Sequence, residues 1–342
     1  MAKPLISIAF KRGVPTSGSI RVLAGDIGGT KTNMALYRSD SEGLTLLREK
    51  RYVSKDHHSL EEIVRDFTGG EKPDRISAAV AGPVLKGKSR LTNLSWEMDS
   101  EALGGSLGIP VSFINDLVAT AYGLAGLRPE ELAPIAPGEA GAEGNIAIIA
   151  PGTGLGEAGL YWDGERYHPF ATEGGHSDFF PRTEIDIEIF RWLQLQYGHV
   201  SFERVVSGMG IKNLYRFFTE VRHVEVPGWM QERLKTEDAA AIISDAAIKK
   251  EDPVCGEVME LFVRYLASES SSLVLKTMAT GGLFLAGGIP PKILPLLQSS
   301  SWSANFDNSG RMHRLSEKVP IQAVLNDKMA LLGAAHHGAY NM

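Results

Sequence analysis

The sequence predicts a two-domain α/β protein, and three observations carry that prediction. The chain has 342 residues, more than one core comfortably holds at about 100–200 residues per domain. Short apolar runs alternate with segments of helical spacing along most of its length, the pattern of sheets covered by helices. Each half also carries a Gly/Thr-rich turn between two strand-like runs, GDIGGTKTN at 25–33 and APGTGLGEA at 150–158.

In chain order, Ile20 to Ala24 reads as a buried strand that breaks at Gly25-Asp26. Gly28-Gly29-Thr30 is a tight polar turn, and Asn33 to Arg38 returns as the second arm of a hairpin. Leu60 to Phe67 has helical spacing. Arg75 to Ala81 is a strand ending at the turn signal Gly82-Pro83. Val111 to Ile114 is a strand with Asn115-Asp116 at its C-terminal end, and Leu117 to Leu127 has the composition of a helix. The Gly/Pro/Ala-rich stretch from Pro134 to Gly144 reads as a loop or linker. Asn145 to Ala150 and Glu157 to Trp162 are strands flanking the second turn, Gly152 to Gly156. Helical patterns dominate from Glu184 to Lys276. Leu283 to Ala286 is a strand that stops at Gly287-Gly288, and Met329 to His337 is a final helix.

Hydrophobic residues make up 43% of the chain and charged residues 22%, ample material for ordinary globular cores. A net charge of -6 argues against a non-specific nucleic-acid binder, whose phosphate contacts need a basic face. The single cysteine, Cys255, excludes an internal disulfide and a Cys-cluster metal site and suits a reducing compartment. No apolar run approaches the roughly 18 residues of a membrane span. Residues 1–25 carry Lys3, Lys11, Arg12 and Arg21 and no acid. That leader reads either as a disordered tail running into a strand or as a transit peptide; the tail is the simpler reading. His57-His58, His199 and His336-His337 have no metal-ligand spacing with acids and read as structural or surface groups.

The chemistry begins with the two turns. Glycines let backbone N–H groups meet an anion without Cβ interference, and two such turns facing each other make a phosphate clamp between two domains. A dinucleotide-binding fold is disfavoured, because Gly25 to Gly29 lacks the G-x-G-x-x-G spacing and leads into a strand.

These residues resemble the superfamily of actin, hexokinase and Hsp70 ATPases. By that resemblance Ala24-Gly25-Asp26-Ile27-Gly28-Gly29-Thr30 is the first phosphate motif, Pro151-Gly152-Thr153-Gly154-Leu155-Gly156 the second, and Leu285-Ala286-Gly287-Gly288-Ile289 the adenosine motif. Leu91-Thr92-Asn93-Leu94-Ser95-Trp96, Ile114-Asn115-Asp116, Glu173-Gly174-Gly175-His176 and Ser201-Phe202-Glu203-Arg204-Val205 narrow the resemblance to the bacterial-type glucokinase family. It runs from about residue 20 to the end. One cysteine cannot build the zinc motif of a related kinase branch. Two residues depart from the family pattern: Thr172 stands where Gly is expected and Leu117 where Phe is usual.

The resemblance implies a two-lobed, RNase H-like α/β fold with the active-site cleft between the lobes. Residues 1–126, completed by a C-terminal helix at 322–342, would form a small lobe, and 127–321 a large one. It implies a cytoplasmic, homodimeric, ATP-dependent kinase of the glucose 6-hydroxyl, with Mg²⁺ accompanying ATP and no membrane or nucleic-acid partner.

Phosphoryl transfer needs alignment, charge neutralisation and a base for the attacking hydroxyl. Asp116, at a strand end where ligands collect in α/β sheets, is the expected base; the alternative is an N-cap for the helix that follows. Asp26 is expected to hold Mg²⁺ through water, with an Asx turn as its alternative. Gly28, Gly29, Thr30, Gly152, Thr153, Gly154, Gly287 and Gly288 would line the ATP site. Asn115, Asp116, Glu173, His176 and Glu203 would bind the sugar, since carboxylates, amides and neutral imidazole match a ring of hydroxyls. Glu203 reads as lying on a helix starting near Ser201, so its alternative is a helix-dipole acid. A non-transferase ATPase would keep both turns but has no need for these pocket residues, and a sugar-binding regulator without catalysis has no need for Asp116.

Overall fold

The protein is described from a computed structural model covering residues 5–12, 18–91, 94–139 and 141–342. Thr92 and Asn93 of the Leu91–Trp96 motif lie outside the described residues. The chain clusters into two compact units. One comprises Met1–Glu131, Leu160–Ala171 and Lys328–Met342; the other comprises Leu132–Gly159 and Thr172–Asp327.

The elements of the first stretch are β1 (Ile20–Ile27), β2 (Lys31–Asp40), β3 (Gly43–Val53), α1 (Leu60–Thr68), β4 (Arg75–Val80), β5 (Lys88–Arg90), β6 (Glu97–Asp99), α2 (Ser100–Leu107), β7 (Val111–Asn115) and α3 (Asp116–Gly123). Next come β8 (Leu132–Ala136), β9 (Ile146–Pro151), β10 (Leu155–Trp162), β11 (Tyr167–Ala171), α4 (Glu184–Tyr197), α5 (Gly208–Arg216), α6 (Gly228–Arg233), α7 (Ala239–Lys249) and α8 (Pro253–Thr277). The chain closes with β12 (Gly282–Leu285), α9 (Leu294–Leu297), α10 (Ser300–Phe306), α11 (His313–Ser316), β13 (Ile321–Val324) and α12 (Met329–Tyr340). Among the described residues no helix is long and apolar enough to cross a membrane.

In the first unit the sheet order is β3-β2-β1-β4-β7. The hairpin arms β1 and β2 are antiparallel, whereas β1, β4 and β7 are parallel. Alternation along the strands sorts two layers. Leu23, Ile27, Ile76, Ala78 and Val80 pack with α1 and α2, while Ala24, Ala35 and Ala79 pack with α3 and α12. The strand expected to break at Gly25-Asp26 continues instead to Ile27. Gly25 and Asp26 stay in ladders with Met34 and Asn33 on one side and Ala78 and Ala79 on the other, and pairing on both sides overrides weak local propensity.

The leader is more than a tail. Ile8 bridges Tyr167, the Arg12 N–H donates to Tyr340 O at 2.8 Å and the Lys11 N–H to Asn341 Oδ1 at 2.9 Å. Phe10 stacks on Tyr122 with ring centroids 5.7 Å apart and meets Tyr340 edge-on at 5.2 Å. An apolar anchor with backbone bonds ties down a segment whose composition alone reads as disordered. Phe10→Ala should therefore lower the unfolding free energy by about 2 kcal/mol. Denaturant titration measures this, and an unchanged midpoint would mean the leader adds nothing to the fold.

In the second unit the strands run in the order β9-β12-β13-β8, with the first part of β10, Leu155–Gly159, beside β9. β9, β12 and β13 are parallel, and β8 closes the edge antiparallel to β13. The stretch from Pro134 read as a linker is thus partly a strand: Pro134 and Ala136 pair with Gln322 and Ile321. Proline tolerates such an edge position. Strand β8 begins at Leu132 and β13 ends at Val324, both within the second unit. Leu160–Ala171 joins the first unit, where Tyr167 N–H donates to Ser7 O at 2.9 Å. Helix α8 runs through the core of the second unit with Phe262, Leu266 and Leu273 buried, and it also buries the polar run Ser268-Glu269-Ser270-Ser271.

Candidate active site

In the first unit the expected residues gather at the C-terminal ends of parallel strands. Ile27, Val80 and Asn115 stand in register across β1, β4 and β7, so Ile27 and Asn115 lie about two strand spacings, ~9.5 Å, apart, with Asp26 one residue back along β1. Asn115 caps α3: its Oδ1 accepts from Leu117 N at 2.9 Å and Val118 N at 3.1 Å. Its Nδ2 donates to Gly82 O and to Asp116 Oδ1, both at 3.1 Å. All four of these bonds are internal. Asn115 is therefore the cap that Asp116 was weighed as, and its side chain also donates to Asp116. The Leu117 N–H also donates to Asp116 Oδ1 at 3.0 Å, so two donors on one oxygen fix the carboxylate.

Asp26 lies within a strand, which removes the Asx-turn alternative. Asn33, its cross-strand partner, donates from Nδ2 to Asp26 Oδ2 at 3.1 Å and accepts from Arg51 Nε at 3.0 Å. Burial pushes the Asp26 carboxyl up, opposed by the Asn33 hydrogen bond and the Arg51 charge. The turn beyond it is braced from behind. Ser54 Oγ donates to Gly28 O at 2.8 Å, and the Ser54 N–H donates to Thr30 O at 3.0 Å. The Gly28 N–H closes the turn on Lys31 O at 3.0 Å. Thr30 is exposed at the tip beside Gly29.

In the second unit the start of β10 organises everything expected there. The Leu155 N–H donates to Glu203 Oε2 at 3.0 Å. A Cβ on Gly175 would lie 2.1 Å from Leu155 O, and one on Gly174 1.9 Å from Glu157 Oε2. Glycine is required at both positions for the Glu173–His176 turn to sit this close. His176 Nδ1 is 4.0 Å from Glu203 Oε1, and Glu173 and His176 are exposed. Glu203 lies on a single 3₁₀ turn, Phe202–Arg204, too short for a macrodipole of consequence; its carboxylate is committed to Leu155 instead. The departure at Thr172 has a structural role: its Oγ1 donates to Glu157 O at 3.0 Å and accepts from Gly174 N at 3.2 Å.

The second turn behaves like the first. The Gly152 N–H donates to Gly154 O at 2.8 Å, leaving exposed Thr153 at the tip. Gly287, at φ +85, needs glycine because a Cβ would sit 2.7 Å from Pro151 O. This seats the Gly287-Gly288 turn against the Gly152–Gly154 turn on the neighbouring parallel strand. Sequence reasoning missed the N-terminus of α5, where the Gly208 N–H donates to Gly152 O at 2.8 Å and Ser207 caps the helix. The Ser-Gly pair was the available signal.

Gly154 is not in a left-handed conformation, but a Cβ there would lie 2.3 Å from Glu203 Oε2. Gly154→Val should therefore raise KM for sugar and nucleotide together, each by about tenfold. The loss of nucleotide alone, expected if the valine met only phosphate, would contradict this coupling. Among the described residues no cluster of three or more His, Cys, Asp or Glu suits a metal ion.

Residues 23–341 match the Glucokinase family. The chain is 41% identical over 332 residues to the glucokinase of Nostoc punctiforme, covering 92% of this chain and 97% of that one. It is 39% identical to the glucokinase of Synechocystis, again over 92% and 97% of the two chains. Among solved structures, a glucokinase from an Antarctic psychrotroph superposes with a TM-score of 0.77 at 32% identity, over 92% of this chain and 98% of that one.

Proposed function

The chain belongs to the glucokinase family, and from that premise we propose that it transfers the γ-phosphoryl group of ATP to the 6-hydroxyl of D-glucose. The products are glucose 6-phosphate and ADP. The observation that carries the assignment of roles is the register Ile27–Val80–Asn115. It sets a carboxylate fixed by two donors, Asp116, at the same strand edge as the Asp26 turn.

In this reading Asp116 accepts the 6-hydroxyl proton as the oxygen attacks the γ-phosphorus and the bond to ADP breaks. Asn115 holds Asp116 in orientation. Glu173, His176 and Glu203 take the other hydroxyls, with Glu203 also tied to the Thr153-Gly154 turn through Leu155. The Gly28-Gly29-Thr30 and Gly152-Thr153-Gly154 turns face phosphates, and Gly287-Gly288 faces the adenosine. A lone carboxylate with one oxygen already engaged by Asn33 suits a Mg²⁺ ion that arrives on ATP and keeps its waters. Bound there, the ion would neutralise charge on the phosphates. We assign the enzyme to the cytoplasm, in keeping with the free, buried Cys255, and expect a homodimer from the family resemblance.

A coupled ADP-release assay across a panel of hexoses tests the reading. Glucose should give the highest kcat/KM, above mannose and glucosamine. ATP hydrolysis that no sugar accelerates would overturn it.

A further inference from the structure

Two buried acids stand directly behind the sugar-binding turn and have no part in the reaction above. Glu157 on β10 is 2% exposed and Glu269, midway along α8, is 0% exposed. The two carboxyls lie within hydrogen-bonding reach of each other. A hydrogen bond between carboxyl groups requires a proton on one of them. Glu157 Oε1 and Glu269 Oε2 are both buried without a hydrogen-bond partner, and one proton placed between them would satisfy both oxygens. The other Glu269 oxygen, Oε1, receives Lys276 Nζ at 3.3 Å. Once the first of the pair's two protons has left, the charges close: two carboxyls, one proton and one ammonium. Arg182 is the other cation whose field reaches Glu269, and it also feels Asp186.

We infer that Glu157 is a positioning residue for the Glu173–His176 turn, held under it by a proton shared with Glu269. Two contacts make the link. Glu157 Oε2 fills the space a side chain at Gly174 would take, and Glu157 O accepts from Thr172 Oγ1, which in turn accepts the Gly174 N–H. The Glu157 carboxyl thus packs against Gly174, and its main chain is tied to the same residue through Thr172. The inference rests on the reading of those two residues as sugar contacts.

Burial, then the nearby Glu269 charge, pushes Glu157 up to about 8 against the pull of Lys276, and burial pushes Glu269 up to about 7. Both values are raised above the ordinary 4.5. The pair's contribution to stability is therefore full below about pH 4.5 and is lost as pH rises through 7 to 8. Above that range two anions face one lysine, and repulsion drives Glu157 from beneath Gly174.

The test is the pH dependence of KM for glucose and for ATP between about pH 6 and about pH 9, in the wild type, Glu157→Gln and Glu157→Leu. Wild-type KM for glucose should rise about tenfold across the range while KM for ATP stays flat. Glu157→Gln donates an N–H to the Glu269 carboxylate without needing a shared proton, so its glucose KM should stay low and flat. Glu157→Leu should have a raised glucose KM at every pH. An equal alkaline rise in wild type and Glu157→Gln, or a wild-type glucose KM in Glu157→Leu, would overturn the inference. Infrared titration of the wild type keeps the test alive if the variants do not fold: a protonated-carboxyl stretch should persist at about pH 6 and vanish by about pH 9, and its absence at the lower pH would overturn the shared proton. Failure of the kinase reading looks different, because no sugar would then turn over while the infrared band remained.

Discussion

Asp116→Asn is expected to lower kcat by about 10²–10⁴-fold while glucose binding stays close to wild type. Asparagine matches the shape of aspartate, and its side-chain oxygen can still accept from Asn115 Nδ2 and the Leu117 N–H, which meet Asp116 Oδ1 at 3.1 and 3.0 Å. The start of α3 therefore keeps its geometry, since the cap is supplied by Asn115. What the variant loses is the capacity to take a proton. At about 1.36 kcal/mol per factor of ten, the loss raises the barrier by roughly 3–5 kcal/mol without a matching loss of ground-state binding. Steady-state kinetics with calorimetric titration of glucose separates the two quantities. A variant with near-wild-type kcat would remove Asp116 from the role of base. A variant that lost glucose binding in proportion to kcat would make it a binding residue.

The two Gly/Thr-rich turns, the hairpin carrying the first and the strand ending at Asn115-Asp116 were legible in the sequence because each combines an apolar run with a residue that only a turn favours. Strand β3 was not. Its residues Arg48, Glu49, Lys50 and Arg51 are exposed at a sheet edge, where charge guards against aggregation and erases the alternation that marks a strand. The leader escaped for the opposite reason. Leu5 to Phe10 is an apolar run interrupted at Ser7 and too short to mark an element by itself, and the value of Ile8 and Phe10 comes from partners more than 100 residues away in sequence, Tyr122, Tyr167 and Tyr340. The site was legible as a set of residue types but not as a mechanism of support. Nothing local shows that Glu203 bonds Leu155, that Asn115 uses its amide internally, or that Glu157 sits under Gly174. Thr172 looked like a departure from the family pattern, and only its hydroxyl's two bonds explain why a threonine is useful there.

Gly333→Ala should be the most destabilising conservative change in the first unit. Gly333 lies on α12 against α3, and a Cβ there would fall 1.6 Å from Ala119 O, 2.5 Å from Ala119 C and 2.8 Å from Gly123 N. Gly123 repeats the pattern from the other side, with Met329 O 2.6 Å from its own would-be Cβ. These are backbone atoms of a helix, not the far end of a flexible side chain, so one helix must move bodily. Ala24, Ala35, Ala79, Ala119, Ala334 and Ala335 are buried in the same layer, so the two helices approach backbone to backbone. Inserting a methyl into a filled core costs about 1–3 kcal/mol, and the backbone collision places this case at about 3 kcal/mol or above. The shift also reaches chemistry, because α3 begins at Asp116; kcat should fall by about tenfold or more in the fraction that folds. Gly105→Ala is the matched control. It adds the same methyl within α2, where a Cβ meets nothing within 4 Å, and should stabilise by up to about 1 kcal/mol. Denaturant midpoints of the two variants should therefore move in opposite directions. If both moved the same way, the effect of Gly333→Ala would come from helix propensity alone, and the close approach of α12 to the helix bearing Asp116 would not be what holds it in place.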